Sequence, residues 1–170
     1  VRTVLLVSIF IASPIAVSAT KNSVVAVNPP LPAPDWSLPA IQNAEGTLSM
    51  SDYRGRITYV DFWASWCRPC RVENPNLVRT FNKFKDKGLN IVGVSLDRDK
   101  PNWLKAIEDD GLNWSHVSHL QYWQDPIAKI YQVKSIPASF ILDEKGKILA
   151  KNLRGNALDQ KVAELINQLQ

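Results

Sequence analysis

Short apolar runs alternate along the chain with longer segments whose apolar residues have helical spacing. Ile57 to Trp63 is short and rich in β-branched and aromatic residues, which predicts a buried strand. A helix is expected from near Cys67, because apolar residues recur on one face up to Phe84, and Gly88 is expected to end it. Leu89 to Leu96 is again typical of a strand.

The second half of the chain continues this alternation. Residues 103–108 and 125–133 are expected to form two short helices, and residues 139–142 and 147–153 flank a turn and predict a β-hairpin. Residues 157–169 form an amphipathic pattern that predicts the last helix. The resulting α/β order implies a parallel pair of strands joined by a right-handed crossover, with an antiparallel edge.

The N-terminal segment has the pattern of an export signal. Residues 1–19 combine Arg2, an apolar stretch, and the small residues Val17 and Ala19 before the expected cleavage point after Ala19. The stretch is shorter than the roughly 20 apolar residues that cross a bilayer, because Pro14 interrupts it. The mature protein is therefore expected to be exported, to the periplasm in a bacterium with two membranes, with an uncleaved short anchor as the alternative.

The segment that follows is predicted to be a linker. Residues 20–34 are polar and then rich in proline, which favours an extended, unpaired backbone. No internal repeat or second shift in composition follows, so residues 35–170 are expected to form one domain.

Composition narrows the functional classes. The chain of 170 residues is 45% hydrophobic and 21% charged, which is typical of a globular protein and argues against disorder. Its net charge of +4 comes from scattered residues with no basic stripe, so a nucleic-acid partner is not expected. We expect a monomer.

The chemistry is concentrated in two cysteines at the start of the first predicted helix. Free N–H groups and the dipole at a helix N-terminus stabilise a thiolate, so Cys67 is predicted to be an exposed nucleophile with a lowered pKa. Cys70, one turn further in, is predicted to be more buried and to resolve a mixed disulfide formed on Cys67. Arg68 and Arg71 are expected to add positive charge that favours the thiolate.

Two other uses of these cysteines have to be weighed. A purely structural disulfide across so short a loop would stabilise the fold by only about 2 kcal/mol on the loop-entropy formula. A four-ligand zinc site would need His116 and His119, which lie far along the chain in a predicted strand or loop. Redox use is therefore the favoured interpretation, and no metal is expected.

The sequence VDFWASWCRPC, residues 60–70, resembles the active-site strand and helix of the thioredoxin superfamily. The similarity continues with Pro75 inside the helix and with Ser135-Ile136-Pro137 before the hairpin. The resemblance implies a thioredoxin-like α/β fold with a central mixed sheet flanked by helices.

Other features are similar to the exported TlpA/ResA-like thiol:disulfide oxidoreductases. These are residues 33–38 before the domain, Glu73 after the cysteines, and residues 98–120, which would form an inserted helix and strand after the second core strand. This narrower resemblance implies an N-terminal extension to the thioredoxin-like domain.

The resemblance also suggests roles for residues near the cysteines. Pro137 is expected to be cis and to lie beside the disulfide, with Ile136 offering its main chain and Trp66 its ring to a substrate. Asp61 lies on an apolar strand, where burial should raise its pKa and allow it to take the proton of Cys70, unless it is a surface acid on an edge strand. Glu73 is expected to tune the pKa values of both cysteines, or to be an ordinary acid near a helix start.

The resemblance implies a periplasmic thiol:disulfide oxidoreductase that reduces disulfides in exported proteins, with apocytochrome c as one candidate partner; the direction of the reaction is implied by the family alone. Its redox centre would be the Cys67–Cys70 pair without a further cofactor, recharged by an electron donor in the membrane. One alternative is a peroxiredoxin-like peroxidase, although such enzymes usually have Thr where this chain has Ala64. Another is a metal or apocytochrome chaperone that uses both sulfurs as ligands.

Overall fold

The computed structural model describes residues 25–34, 36–39, 47–53 and 56–169. The predicted export signal, residues 1–19, and the first part of the predicted linker lie outside these residues. The described strands are β1 (Val25–Pro32), β2 (Ser37–Pro39), β3 (Thr47–Ser49), β4 (Ile57–Trp63), β5 (Leu89–Ser95), β6 (Ser115–Val117), β7 (Ala138–Leu142) and β8 (Lys147–Lys151). The described helices are α1 (Arg68–Phe84), α2 (Lys100–Asp109), α3 (Pro126–Ile130) and α4 (Gly155–Asn167).

A mixed sheet with the strand order β1-β8-β7-β4-β5-β6 forms the centre of the domain. β4 runs parallel to β5 and antiparallel to β7, and β5 runs parallel to β6, so the predicted parallel pair and antiparallel edge are confirmed. Because β4 is central, all seven of its residues are buried. α2 and β6 form the predicted insertion after the second core strand.

The N-terminal segment corrects the prediction of an unpaired linker. Val25–Pro32 forms β1, which pairs antiparallel with β8 at the edge of the sheet. Prolines cannot donate ladder hydrogen bonds, but an edge strand needs donors on one side only, and the register of β1 shifts between Ala26 and Leu31. The linker assignment is therefore wrong for residues 25–32.

Two helices support the sheet near its centre. α1 contacts β5 and α4, and α4 contacts β4. A buried hydroxyl links the two helices, because Thr80 Oγ1 donates to Asp159 Oδ1 at 2.5 Å. Among the described residues, no helix has the length and apolar character that a bilayer crossing requires.

A close approach of β5 to β6 places His116 in the core. The His116 ring is buried between the Trp63 and Trp114 rings, at centroid distances of 5.6 and 5.8 Å. A Cβ atom at Gly93 would lie 2.3 Å from His116 Nδ1, so only glycine leaves room for the ring there. Burial lowers the pKa of His116 to about 4, which keeps the ring neutral at physiological pH.

Candidate active site

The two cysteines lie where β4 gives way to α1, as the sequence predicts. Cys67 is the N-cap residue of α1 and is bonded to Cys70 through their sulfurs. The backbone N–H of Cys70 points at Cys67 Sγ, 3.3 Å away. This N–H group in the first helical turn and the dipole of α1 stabilise negative charge on the Cys67 sulfur.

The exposure of Cys67 differs from the prediction. Cys67 is 4% exposed and Cys70 is 2% exposed, so the expectation of a clearly exposed Cys67 is wrong for this disulfide form. The sulfurs of a disulfide shield each other, and Cys70 also lines a small cavity. The two residues differ mainly in their place in the helix, with Cys67 at the cap and Cys70 inside the first turn.

Arg71 does not contribute the free positive charge that the sequence suggested. Its guanidinium binds Asp110 through two nitrogens, and Nη2 lies 2.7 Å from Asp110 Oδ1. This carboxylate follows the end of α2 and also accepts a hydrogen bond from Asn74. Arg71 therefore ties the start of α1 to α2, and its charge is compensated.

A buried carboxylate fixes the turn before Cys67. Asp97 accepts hydrogen bonds from the backbone N–H of Ser65 at 2.9 Å and from the Ser65 hydroxyl at 2.5 Å. It also accepts one from the Ser95 hydroxyl at 2.7 Å. The sequence analysis missed this residue, although Asp97 follows a predicted strand whose carboxyl end must lie beside that of its parallel neighbour β4.

Asp61 lies on the central strand β4 and lines the same cavity as Cys70. It is 8% exposed, and burial raises the pKa of its carboxyl to about 7, with Arg154 lowering it and Glu73 raising it. The predicted burial is confirmed, and the alternative of a surface acid on an edge strand is wrong. The predicted role of Asp61 as acceptor of the Cys70 proton stays a prediction.

A small cavity connects Asp61 to the disulfide. It measures about 10 Å³, which is roughly the room that one water molecule needs. Asp61 lines it together with Cys70, Glu73, Pro137 and Arg154. Asp61 and Cys70 therefore line one small cavity, in which a water molecule could relay a proton between the sulfur and the carboxyl.

Glu73 lines the same cavity and also accepts a hydrogen bond at the start of α4. Its Oε1 accepts a hydrogen bond from the backbone N–H of Gly155 at 3.0 Å, and its Oε2 accepts one from Asn76 at 3.1 Å. Gly155 is the first residue of α4, so Glu73 caps this helix from the neighbouring helix α1. The predicted influence of Glu73 on the cysteines stays a prediction.

The loop before β7 adopts the predicted conformation. The Ile136–Pro137 peptide bond is cis, and Pro137 borders the cavity next to Cys70. Ile136 is half-buried, and its backbone makes no hydrogen bond to the described part of the chain. Its main chain is thus free to pair with an extended peptide.

Arg154 was missed by the sequence analysis. Its Nη2 atom donates a hydrogen bond to the carbonyl oxygen of Pro137 at 2.5 Å. Nothing in the spacing of the sequence indicates this contact, because Arg154 follows the hairpin and meets the loop only through the fold.

Aromatic side chains cluster around Trp66, the residue before Cys67. Trp66 is 45% exposed, and its ring lies 5.0 Å from that of Tyr122 and 6.3 Å from that of Trp123. The guanidinium of Arg98 lies over the Tyr122 ring at 4.5 Å. Trp66 and Tyr122 border a groove of about 180 Å³ that an incoming polypeptide can enter. The sequence analysis named only Trp66 of this group.

The zinc alternative is not supported by the positions of the histidines. His116 lies in the core between tryptophans, and His119 Nδ1 lies 2.8 Å from Asp125 Oδ2. Within the residues that the structure describes, no three His, Cys, Asp or Glu side chains are grouped as metal ligands.

Comparison with known proteins identifies the family. Residues 30–151 match the model of the AhpC/TSA family. The chain is 31% identical to the thiol-disulfide oxidoreductase ResA of Geobacillus thermodenitrificans over 86% of its own length and 82% of the relative. It is 32% identical to the thiol:disulfide interchange protein HelX of Rhodobacter capsulatus over 74% of its own length and 68% of the relative.

A solved structure shows the same fold. The crystal structure of the thioredoxin domain of a thiol-disulfide oxidoreductase from Bacteroides vulgatus is 37% identical in sequence and superposes with a TM-score of 0.73. The alignment covers 79% of this chain and 95% of that domain. The chain therefore belongs to the AhpC/TSA family of the thioredoxin superfamily and is a thiol-disulfide oxidoreductase.

Proposed function

We propose that this enzyme is an exported reductant of protein disulfides, with Cys67 as the nucleophile and Cys70 as the resolving thiol. The observation that carries the proposal is the pairing of Cys67, at the N-cap of α1, with Cys70, which faces the cavity that holds Asp61. These surroundings support the two different roles proposed for the cysteines.

In the first step the reduced enzyme attacks its partner. The thiolate of Cys67, stabilised by the helix N-terminus, attacks one sulfur of a disulfide in the partner protein. A mixed disulfide forms, the disulfide of the partner breaks, and the released thiolate takes up a proton from solvent. The main chain of Ile136 and the ring of Trp66 hold the partner at this stage.

In the second step the enzyme releases its partner. The thiol of Cys70 passes its proton to the carboxylate of Asp61 and attacks the Cys67 sulfur. The mixed disulfide breaks, and the second sulfur of the partner leaves and is protonated. Two electrons have then passed to the partner, and the enzyme holds the Cys67–Cys70 disulfide found in the structure.

The proposed cellular setting is supported by the sequence pattern. The signal-like residues 1–19 support export to the periplasm, where the partners are disulfide-containing exported proteins such as apocytochrome c. A reductant outside the cytosol needs a dithiol donor to recharge it, and we propose a membrane protein in this role. The enzyme acts as a monomer without a cofactor beyond its own disulfide.

Trapping of mixed disulfides tests this proposal. With Cys70→Ser, the second step cannot occur, so we expect the reduced variant to accumulate covalent adducts with exported proteins that contain disulfides. The adducts are detected on non-reducing gels after incubation with a periplasmic extract, and dithiothreitol should release them. The matched control Cys67→Ser should form few adducts. An absence of adducts with Cys70→Ser, or equal amounts with both variants, contradicts the proposal.

A further inference from the structure

We propose that Arg154 is a positioning residue that holds the cis-proline loop beside the disulfide and keeps a positive charge next to Asp61. This inference rests on the proposed function, because it assigns a task within the same exchange reaction. Arg154 does not touch the reacting sulfurs in this role. It acts through Pro137 and Asp61.

The first argument is the contact with the substrate-binding loop. Arg154 is the N-cap residue of α4, yet its side chain makes no cap hydrogen bond and instead donates to the Pro137 carbonyl oxygen at 2.5 Å. This carbonyl is one residue from Ile136, whose main chain we assign to substrate pairing. A charge-assisted hydrogen bond at this point fixes the orientation of the loop.

The second argument is how firmly the segment that carries Arg154 is held. The backbone N–H of Asn152 donates to the Ser139 carbonyl at 2.8 Å, and Ser139 N–H donates to Asn152 Oδ1 at 3.1 Å. On the other side of Arg154, the N–H of Gly155 donates to Glu73. Residues 152–155 therefore join the proline loop to α1, the helix that contains Cys70.

The third argument is the charge of the cavity. The cavity is lined by residues from β4, α1 and the proline loop, among them Tyr59, Asp61, Cys70, Glu73 and Pro137, and by Arg154. Among the described lining residues, Arg154 carries the positive charge. Arg154 lowers the pKa of Asp61, against the larger effect of burial and the smaller effect of Glu73. Without Arg154, Asp61 would be protonated at neutral pH and would be a poorer acceptor for the Cys70 proton.

Two substitutions of Arg154 separate the effect of its positive charge from the effect of its hydrogen bond to Pro137. Arg154→Met removes both, whereas Arg154→Lys keeps the charge but lacks the planar group that donates to Pro137. Lys161→Met is the matched control, because Lys161 lies on α4 and its partner among the described residues is Glu164, away from the cavity. All variants are studied in the full chain.

The readouts are the pKa of Asp61, measured by ¹³C NMR of its carboxyl carbon in the oxidised protein, and the KM for reduction of insulin. For Arg154→Met we expect the pKa of Asp61 to rise by about one unit, and the KM to rise several-fold. For Arg154→Lys we expect a pKa close to wild type and a raised KM. Reduction of the small disulfide DTNB needs no peptide pairing but still requires Cys70 to lose its proton, so it should slow in Arg154→Met and stay close to wild type in Arg154→Lys.

An unchanged Asp61 pKa and unchanged KM in Arg154→Met would overturn the inference, as would equal changes in Lys161→Met. A loss of stability with no movement of the Asp61 pKa would also overturn it, because it would show a merely structural role. If the wild-type protein reduces no disulfide at all, the proposed function fails, whereas the NMR titration still decides whether Arg154 sets the charge state of Asp61.

Discussion

Replacing Cys67 by serine is expected to lower the rate of disulfide reduction on the order of 10³-fold or more. The serine hydroxyl is not ionised at neutral pH, so the helix N-terminus that faces position 67 has no thiolate to stabilise. The rate is measured with insulin as the substrate and dithiothreitol as the recharging dithiol. The expected loss is the largest of any single substitution in this chain.

The comparison has to exclude a loss of fold. The variant cannot form the disulfide, which costs about 2 kcal/mol on the loop-entropy formula. The free energy of unfolding of the variant is therefore compared with that of the reduced wild-type protein, and the two values should agree. Activity within tenfold of wild type in a folded Cys67→Ser protein would show that another group performs the attack.

Replacing Asp61 by asparagine is expected to make the protein more stable at pH 8 and to slow the second step of disulfide exchange. Burial raises the pKa of the Asp61 carboxyl from its ordinary value of 3.8 to about 7, so the folded state binds the proton more tightly than the unfolded chain does. The contribution of the Asp61 proton to the free energy of unfolding is therefore fully present below pH 3.8 and is lost as the pH rises through about 7. At pH 8 the variant should gain up to about 4 kcal/mol in free energy of unfolding, since one pKa unit corresponds to about 1.4 kcal/mol.

The pH dependence shows whether the gain in stability comes from the ionisation of Asp61. Urea unfolding of the oxidised protein at pH 8 and pH 4 should show the gain at pH 8 and little difference at pH 4. The buried His116 destabilises the protein as pH falls from 6.5 to about 4, but it does so equally in both proteins. Asp86→Asn, at an exposed position, is the control and should not change stability.

The same variant should lose rate in the second step of exchange. Because asparagine cannot accept the Cys70 proton, we expect release of the partner from the mixed disulfide to slow about 10²-fold. Stopped-flow measurement of thiol release at pH 7 reports this step. A variant that is as fast as wild type and no more stable at pH 8 would refute the assignment of Asp61.

The strong local patterns of the sequence predicted the centre of the fold well. The bounds of β4 agree with the prediction, and α1 begins one residue after Cys67 and ends at Phe84, because strand composition, the helical spacing and Gly88 all agree. β1 was missed because its prolines favour an unpaired chain, and only the position at the sheet edge makes them acceptable. β2 and β3, at three residues each, are too short to give a pattern.

The candidate site was predictable where its residues are close in sequence or match a known motif. Cys67, Cys70 and the buried Asp61 were found in this way. Arg154 and Tyr122 were missed because they approach the site only through the fold. The predicted exposure of Cys67 was wrong because its sulfur is shielded by Cys70 in the disulfide. Tyr122 has a φ of 56°, a backbone conformation that sequence rules assign to glycine or asparagine rather than tyrosine.

Alkylation of the two thiols in the reduced enzyme tests the central claim most directly. Iodoacetamide is added at a series of pH values, and mass spectrometry follows the modification of each cysteine separately. We expect Cys67 to react at least about tenfold faster than Cys70 at pH 7, with a midpoint well below the value of about 8.5 for a free cysteine. Equal and slow labelling of both residues, with midpoints near that of free cysteine, would contradict the account.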